Sequence, residues 1–523
     1  MRAEWIKTRQ QFLAQIKRQV QSRLGRVPRD LNAYIRRYNA EFNRPWQKSS
    51  HADLRKSVAE SEVILGADFH AFSQSQRIHL RILRELPVER PVVLALEALA
   101  ATDQMAIDQF MSGKLSEAQF LAQVKWDQAW GFPFENYKPL FELARERRFK
   151  VVGLNRHHTM GKMLHALPRR DQFGAEVIAR WRERQPKALI YVVIGDLHLA
   201  SGHLPAALQR VGKSRVLTIL QNSEHLYFRL AKHGQEHKVD VMRAKGGRFC
   251  VLGSPPWVKW QSYLMYLEQT YDRDIDAGGM DYTDYVASYA VFIARDLGVQ
   301  ASLEDMAVFT PDQINVWRQL QRGLKADEKR MARAMIKCDR SFLLPQTGVL
   351  FLSRASINHA ATLAGQFLHA NLGDRTKTAW SFPSQFEAQI WIEAIGFFCS
   401  KLINHKRKAD QLADLKTQLV AADPKGRGKD VLRLALAQRL SELTGKPRKL
   451  NFRPRRKEAY LEAARIVGHM LGDRLYQTVA DKHMSMSEVV RLMQYDPTAA
   501  GFRDLYHAWV AKIDTALKAR AEP

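Results

Sequence analysis

The sequence has 523 residues, of which 46% are hydrophobic and 26% are charged. The length predicts about two to four domains, and the composition is typical of a folded protein and excludes a chain that is mostly disordered. The formal net charge is +27, which is typical either of solvated helix faces that aid solubility or of a protein with an anionic partner: nucleic acid, an anionic lipid surface or a small acidic ligand.

The N-terminal segment, residues 1–57, is predicted to be helical and basic. Trp5, Phe12 and Ile16 recur at helical spacing, and residues 1–60 contain 14 Lys and Arg against 5 Asp and Glu. We expect this helical segment to pack on the domain that follows. A helix lying on a membrane surface is the alternative.

Residues 58–257 contain five short apolar runs that are typical of strands buried on both faces. Helical patterns separate these runs, and such alternation indicates crossover connections and parallel strands. The sequence therefore predicts an α/β domain with an open, mostly parallel sheet sandwiched by helices. Further strands near 224–230, 238–242 and 248–252 are expected as antiparallel edge hairpins. The five runs are 62–66, 91–96, 149–154, 188–195 and 215–220.

Residues 258–523 are predicted to form a mainly α-helical C-terminal domain, after a boundary marked by Pro255-Pro256-Trp257. A basic loop is expected near 424–457, and residues 401–460 contain 17 Lys and Arg against 6 Asp and Glu. Such a tract can neutralise phosphates of an anionic polymer or an anionic membrane surface. A homodimer is a further partner that the sequence leaves open.

The cysteines and the hydropathy pattern predict a cytoplasmic protein. Cys250, Cys338 and Cys399 are far apart and form no C-x-x-C pair, so neither a thiolate metal site nor a disulfide framework is expected. The first residues lack the apolar stretch of a signal peptide, and no run of about 18 apolar residues occurs that could cross a membrane.

Polar side chains follow four of the predicted strands at the points where these strands end. In an open parallel sheet ligands bind at the carboxyl ends of the strands, so we expect these side chains to share a pocket. The alternative is a set of unrelated helix caps. The side chains are Asp68, His70, Glu97, Asn155, Asp196 and His198.

Two chemistries suit this set of residues. Asp68, His70, Glu97 and His198 can hold a divalent metal through nitrogen and oxygen ligands. The same residues can act without a metal, with Glu97 as general base and His70 or His198 as its catalytic partner.

The residues also resemble a known family. Ala67-Asp68-Phe69-His70 resembles the Gly-Glu-x-His motif that ends the first strand of the ChaN-like haem-binding and Tiki superfamily, and Leu94-Ala95-Leu96-Glu97 resembles its second motif. Trp126, Trp130 and Tyr137 resemble its helical insert. The resemblance covers roughly residues 55–230, with later strands at 151–155 and 194–198. Asp68 stands where the family usually has Glu.

The resemblance implies two rival activities. ChaN-like members bind haem and are linked to iron uptake, which implies Tyr137 as the axial ligand, supported by His198, with Asn155 and Arg156 in the cofactor pocket. His157 and His158 are further candidates for lining that pocket. Tiki members and the related erythromycin esterases are hydrolases, which implies Glu97 with His70 and His198 as catalytic residues. A basic interaction protein with a vestigial pocket is the third hypothesis.

Overall fold

The chain divides into two compact units, Met1–Tyr271 and Asp272–Pro523. In the described part of the chain, no helix is both long and apolar enough to cross a membrane. The computed structural model describes residues 2–25, 29–156, 167–271, 281–313, 317–318, 320–344, 347–373, 377–422, 427–446 and 456–518.

The N-terminal unit is built from eight strands and the helices that connect them. Its strands are β1 (Gln47–Ser49), β2 (Val63–Asp68), β3 (Val92–Ala100), β4 (Lys150–Asn155), β5 (Leu189–Gly195), β6 (Val216–Gln221), β7 (Val241–Ala244) and β8 (Arg248–Val251). Its helices are α1 (Arg2–Leu24), α2 (Arg29–Ala40), α3 (His51–Glu60), α4 (Ser73–Arg84), α5 (Gln104–Met111), α6 (Glu117–Gln123), α7 (Trp126–Ala129), α8 (Lys138–Glu146), α9 (Leu167–Arg184), α10 (Leu204–Val211), α11 (Glu224–Lys232) and α12 (Pro256–Tyr271).

The eight strands form a single sheet in the order β1-β7-β8-β6-β2-β5-β3-β4. Neighbours from β8 to β4 pair in parallel, whereas β7 pairs antiparallel with both β8 and β1. The predicted open, mostly parallel sheet is thus confirmed. The carboxyl ends of β2, β3, β4 and β5 consequently lie along one edge of the sheet.

Two hydrophobic cores sandwich this sheet because neighbouring residues along a buried strand face opposite layers. Ile64 and Leu94 belong to the core that contains α4 and α8 residues, whereas Val63 and Leu65 belong to the core on the opposite face. Every residue of β2, β3 and β5 is buried. This double burial explains why the central strands appear in the sequence as continuous apolar runs.

Two local features differ from the sequence prediction. The strand expected near 224–230 is helix α11, whose Ser223 hydroxyl accepts the Leu226 N–H and whose buried Leu226 and Leu230 are four residues apart. The N-terminal segment is interrupted by β1, a polar edge strand that pairs with β7. Because three polar residues carry no alternating pattern, this strand could not be predicted.

The C-terminal unit is mainly helical, as predicted. It also contains a small sheet in the order β10-β11-β9, formed by β9 (Ala307–Phe309), β10 (Phe342–Leu344) and β11 (Val349–Phe351). Its helices include α13 (Thr283–Leu297), α14 (Ala326–Lys337), α15 (Ile357–Leu372), α16 (Phe386–Ile403), α17 (Leu412–Ala421), α18 (Arg427–Thr444), α19 (Lys457–Ala480), α20 (Met486–Gln494) and α21 (Phe502–Lys518). Most of the predicted basic loop, residues 447–455, lies outside the described residues.

Candidate functional site

Strand pairing brings the predicted site residues to one place. Asp68, the last residue of β2, is in register with Gly195, the last residue of β5. On the other side of β5, Leu96 is in register with Val193, so Glu97 is the next residue along β3. His70 and His198 follow the ends of β2 and β5 by two and three residues. The expected convergence at the carboxyl edge is therefore present.

The first half of the site is centred on the Asp68 carboxylate. His70 Nδ1 donates a hydrogen bond to Asp68 Oδ2 at 3.0 Å, and the Tyr137 hydroxyl donates to the same oxygen at 2.6 Å. The Gln76 amide, from the first turn of α4, donates to Asp68 Oδ1 at 2.5 Å. Asp68 thus receives three donors and fixes the orientation of the His70 ring.

The second half of the site is centred on Glu97. Its Oε1 accepts a charged hydrogen bond from Arg170 and lies 3.4 Å from His198 Nε2. Its Oε2 accepts the Gly195 N–H at 2.6 Å and lies 3.9 Å from His70 Nε2. Glu97 therefore joins both predicted histidines, and Arg170 adds a cation that the sequence interpretation missed.

His198 is held from behind by a second carboxylate. Its Nδ1 donates to Asp171 Oδ1 at 2.6 Å, and the Tyr34 hydroxyl donates to the other Asp171 oxygen. The Tyr34 ring stacks on His203 with centroids 3.6 Å apart. The side chain of His198 is only 5% exposed, so this imidazole forms the interior of the site rather than its surface.

Charges within the second half determine the protonation of Glu97 and His198. Burial favours the neutral acid of Glu97, but the charges of Arg170 and His198 outweigh it and hold the Glu97 pKa well below its usual range. Burial also lowers the pKa of His198, but Glu97 and Asp171 outweigh it and raise that pKa to about 9. At neutral pH the pair is an ionised carboxylate beside an imidazolium.

In the first half, burial alone would lower the pKa of His70. The hydrogen bond and charge of Asp68, together with the charge of Glu97, reverse that effect and raise the His70 pKa. Burial raises the pKa of Tyr137 far above its usual range, and the neighbouring Asp68 raises it further. Tyr137 is thus a neutral phenol that donates to Asp68, and only 1% of its surface is exposed.

Aromatic side chains surround His70, whose own side chain is 23% exposed. The His70 ring lies 4.4 Å from Trp130 and 5.0 Å from Phe132, measured between centroids. Phe132 stacks on Tyr266 of α12 at 4.7 Å, and the Tyr266 hydroxyl donates to Gly131 O. Phe69, Phe132, Tyr263 and Tyr266 are all half-buried, so apolar ring surface is accessible beside a partly exposed imidazole.

A small, open cleft adjoins these residues. Glu97, Trp130, Asn155 and Arg156 line it, and Arg156 is exposed at its rim. The predicted cofactor residues Asn155 and Arg156 are therefore neighbours of Glu97, whereas Tyr137 lies deeper, beneath Trp130 and Asp68. The candidates His157 and His158 lie outside the described residues.

The four predicted metal ligands each have another protein partner in this arrangement. Across the described ranges, no group of three or more His, Cys, Asp or Glu side chains is placed to hold a metal ion. These side chains form hydrogen bonds with other residues: Glu97 with Arg170, His198 with Asp171, and Asp68 with Tyr137. A cation already neutralises the carboxylate that a metal would need.

The residues that the sequence interpretation missed share one position in the fold. A helix that follows a parallel strand begins at that strand's carboxyl end, so its first turns reach the same edge as the strand ends. Gln76 of α4 and both Arg170 and Asp171 of α9 occupy such positions. Polar residues near these helix starts were the available signal. Tyr34 comes from the N-terminal segment, where no such rule applies.

A comparison with protein families supports the resemblance. Residues 54–166, which are 113 of the 523 residues, match the family model described as haem-binding uptake, Tiki superfamily, ChaN. A solved structure described as cofacial heme binding to ChaN of Campylobacter jejuni is 13% identical, covers 34% of this chain and 88% of that chain, and superposes with a TM-score of 0.27. A search of curated proteins found no match. The family resemblance of this chain is thus to the haem-binding uptake, Tiki superfamily, ChaN model, over residues 54–166 of the α/β unit.

Proposed function

We propose that the α/β unit binds haem at the carboxyl edge of its sheet and serves in haem or iron handling. The observation that carries this proposal is His70: a partly exposed imidazole whose Nδ1 is engaged by Asp68 and whose flanks are aromatic. The match of residues 54–166 to a haem-binding family model supports the same ligand class.

His70 Nε2 is the nitrogen that we assign to the iron. A histidine that ligates a metal almost always donates its other ring N–H to a carboxylate or carbonyl, which sets the tautomer and raises the basicity of the ligand. Asp68 supplies that acceptor. A Cβ atom on Gly195 would lie 3.2 Å from His70 Nε2 and 3.3 Å from Glu97 Oε2, so the glycine keeps space beside this nitrogen open.

The surroundings of His70 suit a planar apolar ring with acidic edges. Half-buried Phe132 and Tyr266 offer ring surface, which is the usual lining of a small-molecule site. Trp130 joins His70 to the cleft that Asn155 and Arg156 line. We assign Arg156 to a propionate because it is the exposed cation at the rim, and Arg is suited to carboxylates. When bound, haem would supply iron-centred ligand exchange or electron transfer.

The geometry favours His70 over Tyr137 and His198 as the axial ligand. Tyr137 would have to lose its hydrogen bond to Asp68 and its proton, both of which burial opposes. His198 has both ring nitrogens directed at carboxylates, Asp171 and Glu97. In this proposal Tyr137 and His198 support the site without touching the iron.

The other hypotheses stay predictions. A hydrolase that uses Glu97 as general base is less favoured, because Arg170 and His198 stabilise the ionised carboxylate and weaken it as a base. A divalent metal has no supporting donor cluster in the described ranges. An anionic polymer and an anionic membrane surface remain predicted partners from the basic tracts alone, and a homodimer remains a separate prediction.

A haem titration of the full chain tests the proposal. We expect a Soret band that shifts and saturates at one equivalent as haem is added to purified protein. Glu97→Gln offers a second test. A hydrolase should lose turnover in this variant, because the Glu97 carboxylate takes part in its reaction. Haem binding should be retained, because Glu97 is only a neighbour of the proposed ligand. A spectrum identical to that of free haem at every ratio would reject haem binding.

A further inference from the structure

Arginine and histidine side chains from several helices lie near one another inside the C-terminal unit. Arg340 and Arg465 both approach Glu462, and Arg407 and His469 both contact the Phe397 ring. Arg465 and His469 lie four residues apart on α19 and therefore share one face of that helix. Arg340 follows α14 and Arg407 follows α16, while His359 is on α15. We call these residues the arginine–histidine cluster. Its members are Arg340, His359, Arg407, Arg465 and His469.

Arg407 is the structural member of the cluster. Its guanidinium donates to Asn358 O at 3.2 Å and to the hydroxyls of Thr362 and Ser400 at 2.6 Å each. It also stacks over the Phe397 ring at 4.3 Å. These contacts tie α15 to α16 and leave Arg407 with ordinary protein partners.

Arg465, Arg340 and His469 have donors that the described residues leave unused. Arg465 makes no hydrogen bond there: its closest carboxylate contact is 3.6 Å, from NH2 to Glu462, and its buried Nε lacks a partner. Arg340 uses only Nε, which donates to Glu462. The nearest carboxylate oxygen to His469 Nε2 is on Glu393 at 3.9 Å, beyond hydrogen-bond range.

The cluster carries more positive than negative charge. Three arginines face two carboxylates, Glu393 and Glu462, and burial raises the pKa of Glu393 toward its neutral form. Burial, and then the neighbouring arginines, lower the pKa of His359 to about 4 and that of His469 well below its usual value. Arg354 adds no net charge because it pairs with Asp339. The unused hydrogen-bond donors and the repulsion between neighbouring guanidinium groups favour the binding of an anion at this place.

We propose that the cluster binds a phosphate group, either inorganic phosphate or a phosphomonoester, between Arg340, Arg465 and His469. The side chains are 16%, 39% and 16% exposed, so the site is reachable from solvent. Two guanidinium groups and an imidazole N–H offer more hydrogen-bond donors than a bound carboxylate ligand, with roughly four lone-pair sites, could accept. A phosphate dianion with three or four oxygens uses them better.

Calorimetric titration of the full chain with inorganic phosphate at low ionic strength tests this site. We expect saturable binding that Arg465→Gln weakens by about tenfold or more, because charge-assisted hydrogen bonds are lost. Arg491→Gln is the matched control: it removes the same charge from an exposed position on α20, outside the cluster, and should bind phosphate like the wild type. Arg465→Lys keeps the positive charge but loses the paired N–H donors of the guanidinium group, so its affinity for phosphate should be intermediate.

Thermal unfolding separates binding from folding. Without phosphate, Arg465→Gln should unfold at the same temperature as the wild type or a higher one, since a repulsive cation has been removed. Phosphate should raise the unfolding temperature of the wild type and of Arg491→Gln but not that of Arg465→Gln. If glycerol 3-phosphate binds more tightly than inorganic phosphate, the natural ligand is a phosphoryl group on a larger molecule. If inorganic phosphate binds more tightly, the natural ligand is the free ion. Equal binding of acetate, or equal phosphate affinity in all variants, would overturn the proposal.

Discussion

Asp68 Oδ2 accepts a hydrogen bond of 3.0 Å from His70 Nδ1, and this pair connects the fold to the proposed haem site. Because Asp68 ends β2 and is buried, its position is set by the sheet rather than by a loop. The same oxygen receives the Tyr137 hydroxyl, so the carboxylate orients the imidazole and is itself held in place.

Replacing Asp68 with Asn should weaken haem binding without unfolding the domain. The amide keeps a polar group in place but removes the negative charge that makes His70 a stronger ligand. Loss of such a supporting carboxylate typically costs about 10- to 100-fold in metal affinity. Haem titration followed at the Soret band measures this effect. Asp127→Asn removes an exposed carboxylate in the same domain and should leave the affinity unchanged.

Replacing Tyr137 with Phe should have a much smaller effect. The phenol donates one hydrogen bond to the Asp68 carboxylate and does not touch the iron in this proposal, so its loss should change the haem affinity by less than about tenfold. The absorption and resonance Raman spectra of the haem complex should keep their wild-type form. Loss of the complex, or the disappearance of a tyrosinate band, would instead identify Tyr137 as the axial ligand.

Haem binding should weaken as the pH falls. Iron binds the neutral form of the His70 imidazole, and Asp68 and Glu97 raise the pKa of this group above its ordinary value. Protons therefore compete with iron below that raised pKa, and affinity should increase with pH until the imidazole is neutral. Dissociation constants measured across the neutral range test this. An affinity independent of pH in that range would contradict ligation through His70.

The buried His198 should make stability depend on pH in the opposite sense. Its pKa in the folded protein is about 9, above the value of about 6.5 expected when unfolded. Its contribution to stability is therefore complete below about pH 6.5 and is lost as the pH rises through about 9. The loss is on the order of 1–3 kcal/mol. Urea unfolding at both ends of this window should show it in the wild type and not in His198→Gln.

The central sheet could be predicted because its strands are buried on both faces. Runs such as 188–195 have no polar face to interrupt them, and the structure places strands there. Edge elements lack this constraint. β1 is three polar residues long, and the apolar residues of α11 fit a strand or a helix equally well at that length.

The meeting of Asp68, His70, Glu97 and His198 could also be predicted, since strand ends share an edge. Their electrostatic partners could not be, because Arg170 and Asp171 come from the start of α9, far along the chain. The difference in exposure between the two histidines could not be predicted either. The sequence does not reveal that His198 is enclosed by two carboxylates while His70 lies among half-buried aromatic rings.

The most direct test of the account is a haem titration of three variants beside the wild type. His70→Ala should lose the saturable Soret shift, or bind haem at least about 100-fold more weakly, while keeping a native circular dichroism spectrum. Tyr137→Phe should bind within about tenfold of the wild type, and His233→Ala, which removes an exposed histidine of the same domain, should be unchanged. Full binding by His70→Ala, with binding lost in Tyr137→Phe, would contradict the assignment of His70 to the iron.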